Sequence, residues 1–224
     1  MSLDSIFRMP SPPMRRRSLI VLGAGVAVAL AGRAGRALAS PDPAVIAPIQ
    51  SFYDTLLTVM KAGPKTPFDQ RFETLAPAVD RALDIPAILQ VSVGQAWNEL
   101  PAEQRDALLA AFRRYTISSY VSSFDSYTGQ RFAIAPDLRS VAPDREIVQT
   151  EIIPPSGGSH QLDYVMRQDG SDWKAVDVLA EGAISRVATQ RSDFRALLAR
   201  GGGPALLASL EKKSADLAAG AHGP

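Results

Sequence analysis

The sequence contains no cysteine and only two histidines among its 224 residues. The first absence removes disulfide staples, thiol nucleophiles and Cys-ligated zinc, so the fold must be held by its core. The histidines, His160 and His222, are too few and too far apart for a metal-ligand cluster. His160, at the start of a strand pattern, reads as a solvated side chain. There is no Gly-x-Ser-x-Gly elbow and no Walker A loop. Gly201-Gly202-Gly203 lacks the Lys-Ser/Thr that would bind phosphate and reads as a helix break. Gly23-Ala24-Gly25 lacks a third glycine at Val28 and a preceding strand, and is no dinucleotide loop. A bilayer-spanning run is missing too: the longest apolar stretch, Leu19 to Ala31, falls well short of what a membrane-crossing helix needs.

That stretch belongs to a different pattern. Residues 14–40 read as a signal peptide, with a basic start at Arg15-Arg16-Arg17, an apolar centre and a small-x-small site at Ala37-Leu38-Ala39. Arg16-Arg17-Ser18-Leu19-Ile20 resembles a twin-arginine export signal, and Met14 is a second candidate start codon. Residues 1–39 are therefore expected to be an extension and cleaved leader, 40–218 a single domain and 219–224 a frayed tail. The leader takes six arginines and one acid with it, which turns a formal charge of +1 into about −4. An acidic domain lacks the basic footprint that phosphate neutralisation requires, so nucleic-acid binding is a poor fit. What remains is long enough for one sizeable core.

The periodicity of that domain changes once. Val45, Ile46, Ile49, Phe52, Tyr53, Leu56, Leu57 and Met60 recur at helical spacing, and Gly63-Pro64 ends the run. A second helix is expected with Thr66 as N-cap and Pro67 at its first position, kinked or split at Pro77. Asp84-Ile85-Pro86 reads as another cap, opening a short helix that ends near Gly94. The longest helix is expected from Pro101 to about Tyr127. From Gln130 the period becomes two, and Arg131–Ala135, Glu146–Ile153, Gln161–Gln168 and Trp173–Leu179 read as four antiparallel strands, the last three joined by short turns. Helices return from Ile184. The expected fold is α+β, with helices on one face of a curved four-stranded antiparallel sheet.

The apolar positions define a candidate site. On the strands Phe132 and Ile134, then Leu162, Tyr164 and Met166, form one apolar face; on the long helix Phe112, Tyr115 and Tyr120 form another. Such faces either fill a core or enclose an apolar pocket, and periodicity does not separate the two. Two registers are compatible with the Asp169-Gly170 turn. A two-residue loop sets Met166 opposite Trp173 and sends Val176 and Val178 to the far face; an odd loop brings both valines beside Tyr164 and Met166. Asp163 and Asp177, on adjacent strands, are the best candidates for a carboxylate pair.

Several segments in order carry a family resemblance. Leu83-Asp84-Ile85-Pro86, Val93-Gly94-Gln95-Ala96-Trp97 and Gln104-Arg105 before Phe112 are followed by Trp173-Lys174-Ala175-Val176-Asp177-Val178, Glu181-Gly182-Ala183-Ile184-Ser185 and Arg191-Ser192-Asp193-Phe194. Together they resemble the MlaC-type, or toluene-tolerance, family of periplasmic phospholipid-binding proteins, across nearly all of the domain. Phe124-Asp125-Ser126-Tyr127, Gly129-Gln130-Arg131-Phe132 and Ala188-Thr189-Gln190-Arg191 resemble its hopanoid-associated HpnM branch. Thr189-Gln190-Arg191 departs from the Asn-Tyr-Arg of ordinary members, which bears on the ligand.

The resemblance implies a periplasmic, non-enzymatic carrier of phospholipid or hopanoid without a cofactor. Its partners would be an inner-membrane ABC transporter with an MCE-domain subunit and an outer-membrane lipoprotein. It also implies a lipid cavity between sheet and helices, whose expected lining is Phe112, Tyr115 and Tyr120 with Phe132, Ile134, Leu162, Tyr164, Met166, Val176 and Val178. Trp173, Asp177, Gly182, Arg191 and Phe194 are assigned to fold maintenance, with Asp177 and Arg191 as candidates for an ion pair. The alternative is a structural or adaptor subunit of an envelope complex whose cavity is collapsed; a third reading is a hydrolase using Asp163 and Asp177.

Overall fold

The computed structural model describes residues 42–220. The expected leader, the second histidine and the end of the expected tail lie outside them. Helix α1, Pro43–Ala62, starts where the sequence places it because Asp42 Oδ1 accepts the Ala44 N–H at 2.9 Å. Pro43, which has no N–H, needs no partner there. Gly63 ends the helix in the left-handed region that favours glycine. The buried stripe Val45, Ile49, Phe52, Tyr53, Leu56, Val59 and Met60 fixes the face turned inward.

Helix α2, Phe68–Ala82, differs from expectation at both marked prolines. Pro67 occupies the N-cap position without a side-chain cap, and the Thr66 hydroxyl donates instead to Ala62 C=O at 3.0 Å. Nor does Pro77 split the helix, which runs as one element. Leu75, Ala76, Ala78, Val79 and Ala82 are all buried around that proline, and this packing offsets its lost hydrogen bond. Arg71 of α2 is buried too. Its Nε donates to Thr66 C=O at 3.1 Å and its Nη1 to Val121 C=O at 3.3 Å. The second bond ties α2 to the last turn of the long helix, where a cation is favoured.

Helix α3, Ile85–Val93, is capped by Asp84, whose Oδ1 accepts from Ala87 N–H while Oδ2 accepts from Arg167 at 2.7 Å. A short helix α4, Ala96–Glu99, follows, and then α5, Ala102–Ser123, which stops a turn before its expected end. Four long strands come next: β1, Arg131–Ala142; β2, Arg145–Ile153; β3, His160–Asp169; and β4, Asp172–Ala180. A fifth strand, β5, Ile184–Ser185, lies where the periodicity predicts helix and corrects the count from four to five. So short a strand cannot show alternation. Helix α6, Arg186–Ala218, is broken at Gly201-Gly202, as the glycine triplet suggests.

The strands follow chain order in an antiparallel sheet. Strand β1 extends well beyond Ala135 because its register slips between Ile134 and Leu138. That irregularity accommodates Pro136 on an edge strand. The β3–β4 hairpin turns through Gly170-Ser171, one position later than the expected Asp169-Gly170. A second slip then falls between Val165 and Met166, so that Met166 faces Ala175 while Tyr164 faces Val178. Val176 is the extra residue. The outcome is a hybrid of the two registers, with Val178 joining Tyr164 on the core face and Val176 left unpaired.

The core lies between that face and the helices. Tyr53 of α1 stacks on Phe132 with centroids 4.5 Å apart and meets Tyr164 edge-on at 6.0 Å. Thr150 Oγ1 donates to Leu162 C=O at 2.6 Å, so the Tyr53 hydroxyl is the donor in its own 2.6 Å bond to Thr150. A buried polar pair is thus satisfied inside an aromatic cluster.

Candidate functional site

The space between sheet and α1 is filled by side chains. Tyr164 and Met166 are 1% and 0% exposed, Leu162 is buried, and Phe132 and Ile134 pack against the same cluster. A cleft lies elsewhere, among α3, α5, the start of α6 and β4, with a volume of about 50 Å³. Helix α5 contributes Phe112, Tyr115, Thr116, Ser119 and Tyr120, positions i, i+3, i+4, i+7 and i+8 of one stripe. Leu83, Ile85 and Ile88 form an apolar wall, Asp177 and Val178 the β4 side, and Arg186, Val187 and Gln190 the side from α6.

Of the expected lining, Phe112, Tyr115, Tyr120 and Val178 border this cleft. Phe132, Ile134, Leu162, Tyr164 and Met166 lie in the sheet–α1 core, and half-buried Val176 sits at the bulge. Thr116 and Ser119 escape a reading that follows only the apolar positions of α5; the full stripe from Phe112 to Tyr120 contains them. The walls from α3 and α6 coincide with Leu83-Asp84-Ile85-Pro86 and with Gln190, segments that carry the family resemblance.

Antiparallel packing of α5 and α6 gives the cleft two unlike ends. Phe112 meets Phe194 edge-on at 6.1 Å at one end. At the other, Tyr120 lies close enough to Arg186 for the guanidinium to lower its pKa, although burial dominates and pushes the phenol up to about 12. The cleft is therefore amphiphilic along its length.

The residues assigned to fold maintenance hold these walls together. Asp177 Oδ1 accepts from Val178 N–H at 2.8 Å and Val187 N–H at 3.1 Å, and its Oδ2 from the Ser185 hydroxyl. The carboxylate thus fastens the positive end of α6 to β4. Arg191 is not its partner: the guanidinium lies over Gly94, where a Cβ would approach Nη2 to 3.3 Å. Gly94 also has a positive φ, so a side chain there is disfavoured twice. Asp163 is buried on the other side of β3 from Tyr164, accepting from Gln161 Nε2 at 2.9 Å. The register sets Leu179, not Asp177, opposite it, so the two carboxylates are offset along their strands.

Burial also raises Tyr53 and Tyr164 well above the usual phenol value, against a smaller lowering at Tyr53 from its bond to Thr150. Tyr53 and Tyr164, both enclosed in the core, stay protonated in the native state while the unfolded chain loses their protons near pH 10. Their stabilising contribution is complete below about pH 10 and is lost as pH rises towards the native values. The unfolding free energy from urea titrations should therefore fall steeply above about pH 10, by up to roughly 1.4 kcal/mol per pH unit for each tyrosine. The tyrosinate absorbance of these two phenols should appear together with unfolding; their ionisation in a folded protein would contradict the burial described.

Fold and cleft define an α+β domain in which helices shape an amphiphilic cleft beside an antiparallel sheet. The chain belongs to the MlaC protein family, whose model matches residues 50–212. A solved structure with this fold is the phospholipid-binding protein from Ralstonia solanacearum, determined in complex with a phospholipid. It is 22% identical, with a TM-score of 0.67 over 78% of this chain and 98% of that one.

Proposed function

We propose that this protein binds a phospholipid in the periplasm and carries it between membranes. The observation that carries the reading is the α5 cleft, apolar at Phe112 and polar at Arg186 and Asp177, which matches the mixed polarity of a lipid. Family membership supports it, as does the phospholipid held by the Ralstonia protein. The leader pattern of residues 14–40 supports export, and the family resemblance supports an MCE-type ABC transporter and an outer-membrane lipoprotein as partners. Hopanoid is the alternative cargo, from the likeness to the HpnM branch.

The cleft, at about 50 Å³, is small. Ordinary ligand pockets occupy roughly 300–1,000 Å³, so loading entails widening. Each CH₂ buried contributes about 0.8 kcal/mol towards that opening. The break in α6 at Gly201-Gly202 offers a pivot for it. The same small volume and the filled sheet–α1 core favour the second reading, an adaptor subunit with a collapsed cavity. Native mass spectrometry of protein purified from its own periplasm distinguishes them. A phospholipid adduct that survives size-exclusion chromatography is expected; none, even after incubation with phospholipid vesicles, leaves the adaptor.

A further inference from the structure

Thr116, a residue that lines the cleft, carries a hydroxyl that behaves unlike most helical hydroxyls described. Thr55, Thr58, Thr74, Ser92, Ser119, Thr189 and Ser214 each donate to the carbonyl four residues back. Thr116 does not: its Oγ1 is closed off from solvent and has no hydrogen-bond partner. A buried hydroxyl left without a partner is destabilising, so it is an unfavourable feature in a wall built only for packing. Ser118 shares it, but Ser118 is not part of the cleft.

Position gives Thr116 a partner. It lies at the centre of the α5 stripe, between Phe112 at the apolar end and Tyr120 beside Arg186. Each of those neighbours is about one helical turn away. A glycerolipid laid along this gradient puts its acyl chains towards Phe112 and its phosphate towards Arg186. The ester carbonyls fall between them. They are strong acceptors without a donor of their own, complementary to a hydroxyl that lacks an acceptor.

Resting on the phospholipid reading above, we propose that Thr116 is a specificity-determining residue that donates to an ester carbonyl of the bound lipid, selecting ester-linked glycerolipids over lipids lacking that carbonyl. A site built to bond a polar group rejects the analogue without it, because its own group is then left unpaired.

The test compares diacyl phosphatidylglycerol with its dialkyl-ether analogue of equal chain length, each presented in vesicles to the full chain. The wild-type protein should favour the ester lipid by about tenfold. Thr116→Val, equal in shape, should reduce that preference to within about twofold, while the lipid-free protein melts about 2–4 °C higher because a buried unsatisfied group is gone. Thr116→Ser should keep the preference, and Ser118→Ala should leave it unchanged. Equal wild-type binding of both lipids, or a Val variant that keeps the full preference, overturns the proposal. Wild-type protein that binds neither lipid overturns the phospholipid reading itself, and this proposal with it.

Discussion

Replacing Met166 by glutamate should leave the domain unfolded at neutral pH. Met166 is 0% exposed, faces Ala175 on one side and Glu146 on the other, and lies one inward position from Tyr164. A carboxylate there loses its hydration, gains no cation and faces a like charge across the strand pair. Desolvation alone costs several kcal/mol, and the lost burial of the methionine adds about 2 kcal/mol. Against a total stability of roughly 5–15 kcal/mol, that sum removes most or all of the margin. Far-UV circular dichroism should show the loss, while Met166→Leu should cost less than about 1.5 kcal/mol in urea unfolding. A glutamate variant that stays folded and merely fails to load lipid would mean that the sheet–α1 space opens to ligand after all.

This expectation departs from the lipid-cavity lining that the family resemblance implies for Met166 and Tyr164. Alternation along β3 identifies the face correctly but says nothing of what covers it. The cover is Tyr53, far earlier in the chain, and its stacking on Phe132 is a tertiary fact. Local chemistry is legible where one residue decides the outcome: Asp84 as a cap, Gly63 and Gly94 as stops, the glycine triplet as a break in α6. Long-range contacts decide the rest. The bulge at Val176 lies between Ala175, which accepts from Asp84 N–H, and Asp177, which fastens α6. Both anchors fix where β4 must sit, and neither leaves a trace in its alternation. Pro136 conceals the far half of β1 for the opposite reason, since its local signal is clear and the edge position overrides it.

Filling the cleft should separate binding from stability. Ser119 is half-buried in the cleft wall between Thr116 and Tyr120, and its hydroxyl donates only to Tyr115 C=O, so its loss strands no buried group that the helix does not already satisfy. An indole at this position buries its apolar surface by occupying the cleft, its outer edge extending from the open side. If Ser119→Trp denies entry to as few as four CH₂ groups, about 3 kcal/mol of binding is lost, or at least a hundredfold in affinity for phospholipid vesicles. The lipid-free variant should melt at or above the wild-type temperature, because the gap between α5 and β4 is closed rather than opened. Ser119→Ala, which removes the hydroxyl without filling space, should bind like wild type. The pairing matters because a destabilised protein also loses ligand, whereas only an occluded one loses it while becoming more stable. A tryptophan variant that binds phospholipid as tightly as the native chain would place the ligand outside the α5 cleft and leave its graded polarity without a role.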